Sequence, residues 1–224
     1  MRKENFDLIL FDLDGTLTDS GEGITKSVQY ALAEYGIYEP DLNCLRKFVG
    51  PPLIDSFMNY YGFTKEEAIE VRKVFSKRYH PVGWKENHPY PGIETVLERL
   101  KENGKILGIA TSKPADMAEK VLEFFDLRKY FEIVCAAPLN GLNCEKAGRI
   151  RAALLEAQSL GYGTERPVLV GDTRFDVDGA HECGIPCIGV TWGFAEEGEF
   201  EACEADAVVD TMEELLALLC TGES

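Results

Sequence analysis

Two textures alternate along the chain. Between about residues 20 and 83 the apolar positions recur every three or four residues, the period of helices with one buried face. Ile24, Val28, Ala31, Leu32 and Tyr35 form one stripe, closed by Gly36. Leu53, Ile54, Phe57, Met58 and Tyr61 form a second, closed by Gly62. A third carries Ala68, Val71, Val74 and Phe75 and ends at Tyr79-His80-Pro81. Thr64 with Glu67 three residues later is a capping-box signal at its start. These stripes predict a small helical bundle.

The second texture alternates short apolar runs with helical stretches. One run, 7–12, precedes the bundle; the others are 106–110, 132–136, 168–170, 187–190 and 207–209. Helices are expected over 93–103, from Pro114 onward, over 145–159, 177–183 and 212–219. Pro114 suits a first helical position, and Thr211 with Glu214 suits a cap. Strands that are apolar throughout and separated by helices predict a parallel sheet covered on both faces. The expected fold is α/β: a Rossmann-like parallel-sheet core made of residues 1–19 and 85–224, with an inserted α-helical cap over 20–84. An insert after the first strand sits above the carboxyl ends of the strands, where open parallel sheets bind ligands. The cap is therefore expected to act as a lid.

Charge and cysteine usage narrow the partners. The 224 residues carry 39 Asp and Glu against 23 Lys and Arg, a formal net charge of −16. Such a surface repels nucleic-acid polymers and anionic membranes but leaves a phosphorylated small molecule open as a ligand. The seven cysteines form no CxxC pair, which suits reduced thiols and a cytoplasmic protein, a monomer or a homodimer. Neither a signal peptide nor a membrane-spanning segment is expected in the sequence.

The chemistry gathers at the predicted strand ends. The first strand delivers Asp12 and Asp14, two carboxylates two residues apart, followed by Gly15. Carboxylates this close repel each other in a dry site unless a cation lies between them, and hard oxygen ligands suit Mg2+. The second strand ends in Thr111-Ser112, which alone could be a helix cap. Lys146 opens a helix, and Gly171-Asp172 with Asp176 follows another strand. Four carboxylates, a hydroxyl and an ammonium suit phosphoryl transfer, where positioning and charge neutralisation do most of the work. On this reading Asp12 attacks phosphorus and Asp14 handles the leaving group's proton. Asp12, Asp172, Asp176 and Asp14, the last through its carbonyl, hold the metal. Leu13, Gly15, Thr111, Ser112 and Lys146 bind the phosphate. Lys113 is the alternative to Lys146. In the cap, Arg46, Lys47 and Gly50 are the specificity candidates, placed to reach over the site. Trp84 and Tyr90 near the second hinge are candidates for packing or for stacking on a base.

These residues resemble the motifs of the haloacid dehalogenase superfamily. Asp12 to Asp19 match its DxDGTxxD string, Ala110-Thr111-Ser112 its second motif, Lys146 its third and Gly171-Asp172 with Asp176 its GDxxxD. Ala147 stands where proline usually follows the lysine. Within the superfamily the chain is similar to the phosphoglycolate phosphatase group. Ser20-Gly21-Glu22-Gly23-Ile24, Phe48-Val49-Gly50-Pro51-Pro52-Leu53 and Tyr90-Pro91-Gly92-Ile93 resemble a 5′-nucleotidase subgroup. The resemblance implies a Mg2+-dependent phosphomonoesterase working through an aspartyl-phosphate, acting on phosphoglycolate-like metabolites or on nucleoside monophosphates. Asp14 argues against a dehalogenase, which needs no acid for an alkoxide. The three histidines, His80, His88 and His181, lie too far from the first motif for a mutase. The reading of another class is a phosphometabolite-binding regulator that keeps the fold without turnover.

Overall fold

A computed structural model describes residues 6–139 and 144–220. Residues 1–5, on which part of the N-terminal reading rests, lie outside them. The strand β1 (Leu8–Phe11) leads through β2 (Thr18–Asp19) into α1 (Gly21–Glu34), a 3-10 helix (Leu42–Phe48), α2 (Leu53–Tyr61) and α3 (Lys65–Tyr79). A 3-10 turn (Gly83–Lys85) leads back to β3 (His88–Pro89) and α4 (Ile93–Glu102). Then come β4 (Ile106–Pro114), α5 (Ala115–Phe124), β5 (Ile133–Ala137), α6 (Lys146–Ser159), β6 (Pro167–Gly171) and α7 (Arg174–Glu182). The chain finishes with β7 (Cys187–Val190), α8 (Glu199–Ala202), β8 (Ala207–Val209) and α9 (Met212–Leu219).

Six strands form one parallel sheet in the order β5-β4-β1-β6-β7-β8, as the doubly covered pattern requires. Alternation divides β1 between two cores. Ile9 and Phe11 pack with Leu97, Leu100, Val121 and Leu215 of the helices on one face. Leu8 and Leu10 pack with Ile150, Ala153 and Val177 on the other. Each fully buried Leu, Ile or Phe side chain contributes about 1.5–3 kcal/mol, so β1 anchors both layers. The chain winds outward from β1 through β4 and β5, then crosses back to β6. The resulting switch point between β1 and β6 opens a crevice at the strands' carboxyl ends.

The helices between β2 and β3 have their own apolar core, including Val28, Leu32, Phe57, Val71 and Phe75, joined by Met117 from α5. Their two linkers pair with each other: β2 and β3 run antiparallel, Thr18 opposite Pro89 and Asp19 opposite His88. Periodicity could not show this two-residue ladder. Gly62 ends α2 at φ 70°, and Thr64 and Glu67 exchange hydrogen bonds at the start of α3.

Two boundaries differ from the sequence expectation. The strand expected to end at Ala110 runs on as β4 to Pro114, after a register shift against β5. Pro114, with ψ at 141°, therefore caps α5 from outside instead of occupying its first turn. The helix expected from Val177 begins at Arg174, because the Asp176 carboxylate takes the Thr173 N–H and hydroxyl and organises a polar first turn. Apolar spacing carries no signal for a turn built this way.

Candidate active site

Sheet register assembles the site. Phe11 lies opposite Ile109 on one side and Val170 on the other. One residue further, Asp12 emerges between β4 and β6, beside Ala110 and Thr111 of β4 and close to Asp172, which follows the end of β6. Oxygens of Asp12, Asp172 and Asp176 lie within 4.8 Å of one another, and all three residues are buried. Asp12 and Asp172 are thus close enough to share an ion.

One ammonium stands among these carboxylates. Lys146 Nζ lies 2.8 Å from Asp12 Oδ1 and 2.7 Å from Asp176 Oδ1, and donates to the Ala110 carbonyl at 3.2 Å. Both Oδ1 atoms are buried, and each meets this one ammonium. Both Asp172 oxygens and the second Asp176 oxygen have donors. Thr16 donates to Asp172 Oδ1 at 2.9 Å and the Phe194 N–H to Oδ2 at 3.0 Å. Asp176 Oδ2 takes the N–H and hydroxyl of Thr173, both at 3.0 Å.

Electrostatics follow from burial. Desolvation pushes Asp12 up to about 6, with Lys146 pulling it down and Asp176 adding to the rise. Desolvation also pushes Asp172 well up, reinforced by the charges of Asp176 and Asp12. Burial pulls Lys146 down, but Asp12 and Asp176 outweigh it and leave it raised. Three carboxylates sharing one ammonium leave uncompensated negative charge. An all-oxygen donor set of three buried carboxylates around a single ammonium fits a hard divalent cation such as Mg2+.

Gly15 lets the loop close on this cluster. Its φ is 89°, and a Cβ there would meet Asp172 Oδ2 at 2.0 Å. Gly179 does the same for the lysine: a Cβ would come within 2.8 Å of Lys146 Cβ where α7 crosses α6.

A second charged group lies on the cap side. Lys113 Nζ sits 2.8 Å from each oxygen of Asp14 and 2.6 Å from the Tyr79 hydroxyl. Tyr79 ends α3, so the inserted helices touch the site through it. A cavity of about 80 Å³, room for a few waters, lies over Asp14 and Lys113. Ile24, Phe48, Gly50, Phe75, Tyr79 and Met117 contribute to its wall.

The family model for haloacid dehalogenase-like hydrolases matches residues 9–190. The chain belongs to that family. A 5′-nucleotidase of Pseudomonas aeruginosa is 43% identical over 194 residues, 87% of this chain and 86% of its own. A phosphoglycolate phosphatase of Salmonella typhi is 29% identical over an alignment of 246 positions, spanning 96% of this chain and 93% of its own. The crystal structure of a predicted phosphatase from Clostridium acetobutylicum superposes with a TM-score of 0.90 at 41% identity, covering 96% of this chain and 98% of that one. The protein is an enzyme, a phosphatase of the haloacid dehalogenase-like hydrolases. Among its described residues no helix is long and apolar enough to cross a membrane.

In this hydrolase the expected site residues divide by location. Asp12, Asp172, Asp176 and Lys146 converge. The Asp14 side chain lies outside that cluster and pairs with Lys113. Thr111 is buried nearby and accepts the Lys113 N–H at 3.2 Å, while the Ser112 hydroxyl donates to the Cys144 carbonyl at 2.7 Å. The Gly15 N–H, expected to face phosphate, donates to Thr18 O at 2.7 Å. The Leu13 side chain is buried in the sheet core. Gly50, at φ 103°, borders the cavity and would bring a Cβ within 3.2 Å of Thr173. Arg46 and Lys47 line an adjacent open groove instead. The Arg46 guanidinium sits 4.8 Å from the Phe194 ring centre, and the Lys47 ammonium 4.5 Å from that of Tyr60. Trp84 packs edge-on against Phe124 and Tyr90 lies 6.4 Å from Trp192, so both pack at the hinge.

Thr16, Phe194 and Tyr79 were not singled out from sequence. Thr16 lies inside the DxDGTxxD string and could have been found there. Phe194 acts through its backbone, and Tyr79 is one more residue on an amphipathic helix; neither carries a sequence signal.

Proposed function

We propose that this phosphatase is a Mg2+-dependent phosphomonoesterase that hydrolyses small phosphorylated metabolites through an aspartyl-phosphate on Asp12. The observation that carries this reading is the buried convergence of Asp12, Asp172 and Asp176 around one lysine. Asp12, Asp172, Asp176 and the Asp14 carbonyl would hold the metal, which supplies charge neutralisation between phosphate and carboxylates. An Asp12 oxygen attacks phosphorus as the ester P–O bond breaks, and Asp14 hands a proton to the departing alkoxide. Asp14 then takes a proton from the water that attacks the acyl phosphate, which frees Asp12 and inorganic phosphate. Lys146 and Thr111, with the amides of Leu13 and Asp14, are assigned to the phosphate oxygens; the Gly15 amide is held by Thr18. The helices of 20–84 serve as the lid, and residues 1–19 and 85–224 as the catalytic core.

Two substrate classes have support. The small cavity and the end-to-end likeness to a phosphoglycolate phosphatase favour a short phosphorylated acid. The 43% identity to a 5′-nucleotidase favours nucleoside monophosphates. Seven free cysteines, three of them buried, support a reducing, cytoplasmic setting. The test is phosphate release from phosphoglycolate, sugar phosphates and nucleoside monophosphates, with Mg2+ and with chelator. Turnover that requires the metal is expected. A well-folded preparation that releases phosphate from no ester with any divalent metal overturns the reading and favours a binding role.

A further inference from the structure

The cavity over Asp14 contains a buried cation that the steps above leave unused. Lys113 contacts both Asp14 oxygens and the Tyr79 hydroxyl, and its side chain is 3% exposed. An ammonium has three protons, so all its donors are engaged. Burial pulls Lys113 down, but Asp14 and Tyr79 outweigh it and keep it charged. An ammonium in so dry a place is strongly disfavoured without an anion beside it.

Asp14 has both oxygens on this ammonium. To protonate a leaving alkoxide Asp14 must first carry a proton and turn that oxygen toward the ester, and as a neutral acid it leaves Lys113 without its anion. A neutral leaving group offers nothing in exchange. A leaving group bearing a carboxylate next to the ester carbon offers an anion in the cavity that Asp14 and Lys113 both border. Arg72 and His80 also border the cavity, but Arg72 donates to the Leu139 carbonyl at an exposed position, and among the described residues Lys113 is the cation paired with Asp14.

We propose that Lys113 is a specificity-determining residue that selects phosphate esters of hydroxycarboxylic acids by exchanging Asp14 for the substrate carboxylate. Tyr79 is its positioning residue, brought to it by the cap. The inference rests on the phosphomonoesterase reading.

The experiment compares kcat/KM with Mg2+ for phosphoglycolate and for 2-hydroxyethyl phosphate, which has similar size but no second charge. p-Nitrophenyl phosphate serves as the check on phosphatase activity itself. Wild type is expected to prefer phosphoglycolate by about 10²-fold or more. Lys113→Met should bring that ratio to within a few-fold of one, and Lys113→Arg should keep part of it. Tyr79→Phe keeps the ring that stacks on Phe75 at 5.0 Å and should lower the ratio less, raising KM for phosphoglycolate more than it lowers kcat. A purely structural role would move both esters alike. A wild-type ratio near one, or a ratio unchanged in Lys113→Met and Tyr79→Phe, overturns the proposal while aryl phosphate turnover persists. Should the Lys113 variants not fold, an unchanged ratio in Tyr79→Phe overturns it alone. Absence of release from all three esters by wild type removes the phosphatase reading instead.

Discussion

Two buried lysines flank the Asp12-Leu13-Asp14 segment, and different parts of the chain hold them. Lys146 opens α6 and faces Asp12 and Asp176, all supplied by the sheet and the helices packed on it. Lys113 leaves the end of β4 and faces Asp14 and Tyr79, the last residue of a helix in the inserted bundle. The first cluster is complete within the α/β core. The second has its ion pair in the core and gains the Tyr79 hydroxyl only while the bundle rests on it. The anionic floor of the site is thus set by strand register, whereas part of the surroundings of Asp14, the proposed proton donor, depends on how the cap sits.

The most severe way to break the floor is to remove its proposed nucleophile. Asp12→Asn is expected to lower kcat by about 10³-fold or more while circular dichroism stays native. Near-normal phosphate release from this variant would exclude a covalent step at Asp12. Gly15→Ala attacks the same floor through the backbone. At φ 89°, with Asp172 Oδ2 2.0 Å from the added carbon, it forces either the loop or Asp172 to move. A loss of about 2–3 kcal/mol in urea unfolding is expected, with the loss of Mg2+ binding. Native stability would show that the loop can yield.

Acidity sharpens the comparison, because the floor holds more anions than the cap side. Asp12 is raised in the folded protein to about 6, from an ordinary value of 3.8. A raised carboxyl favours folding below its unfolded value, and that contribution is lost as pH climbs through the folded one. Asp172 shifts in the same direction. Metal-free protein should therefore melt higher near about pH 5 than near about pH 8, relative to Asp12→Asn, and Mg2+ should shrink the difference. Melting scans in chelator and in Mg2+ at both pH values test this; the opposite slope refutes it.

The smallest effect is expected at the edge of the cap. Arg46→Ala with Lys47→Ala should shift preference among metabolites by about three- to tenfold and alter p-nitrophenyl phosphate hydrolysis less. Lys47, against Tyr60 and away from the cavity, should account for the lesser part. Equal losses on every substrate would assign both residues to folding and not to selection.

Much of this was legible in the chain. Strand ends are local events: an apolar run stops, and Asp12, Thr111 or Asp172 follows within one or two residues. Parallel strands place those ends on one edge, so the floor could be assembled from sequence. The cap helices were equally plain, because amphipathic spacing is local too. Less legible were features that use polar groups to build backbone. The first turn of α7 depends on the Asp176 carboxylate, and the hinge ladder of β2 and β3 is two residues long.

By itself the sequence determined the kinds of groups present, their order and the strand ends that present them, since periodicity and turn chemistry act over a few residues. The tertiary structure alone decided which lysine serves which aspartate. Lys113 meets Asp14 across 99 positions and Tyr79 across 34, and Thr16 meets Asp172 across 156. Such pairings depend on strand order, on the crossing of α6 with α7 and on the seating of the cap. No local pattern records them, because the packing free energy that settles them is shared over the whole core.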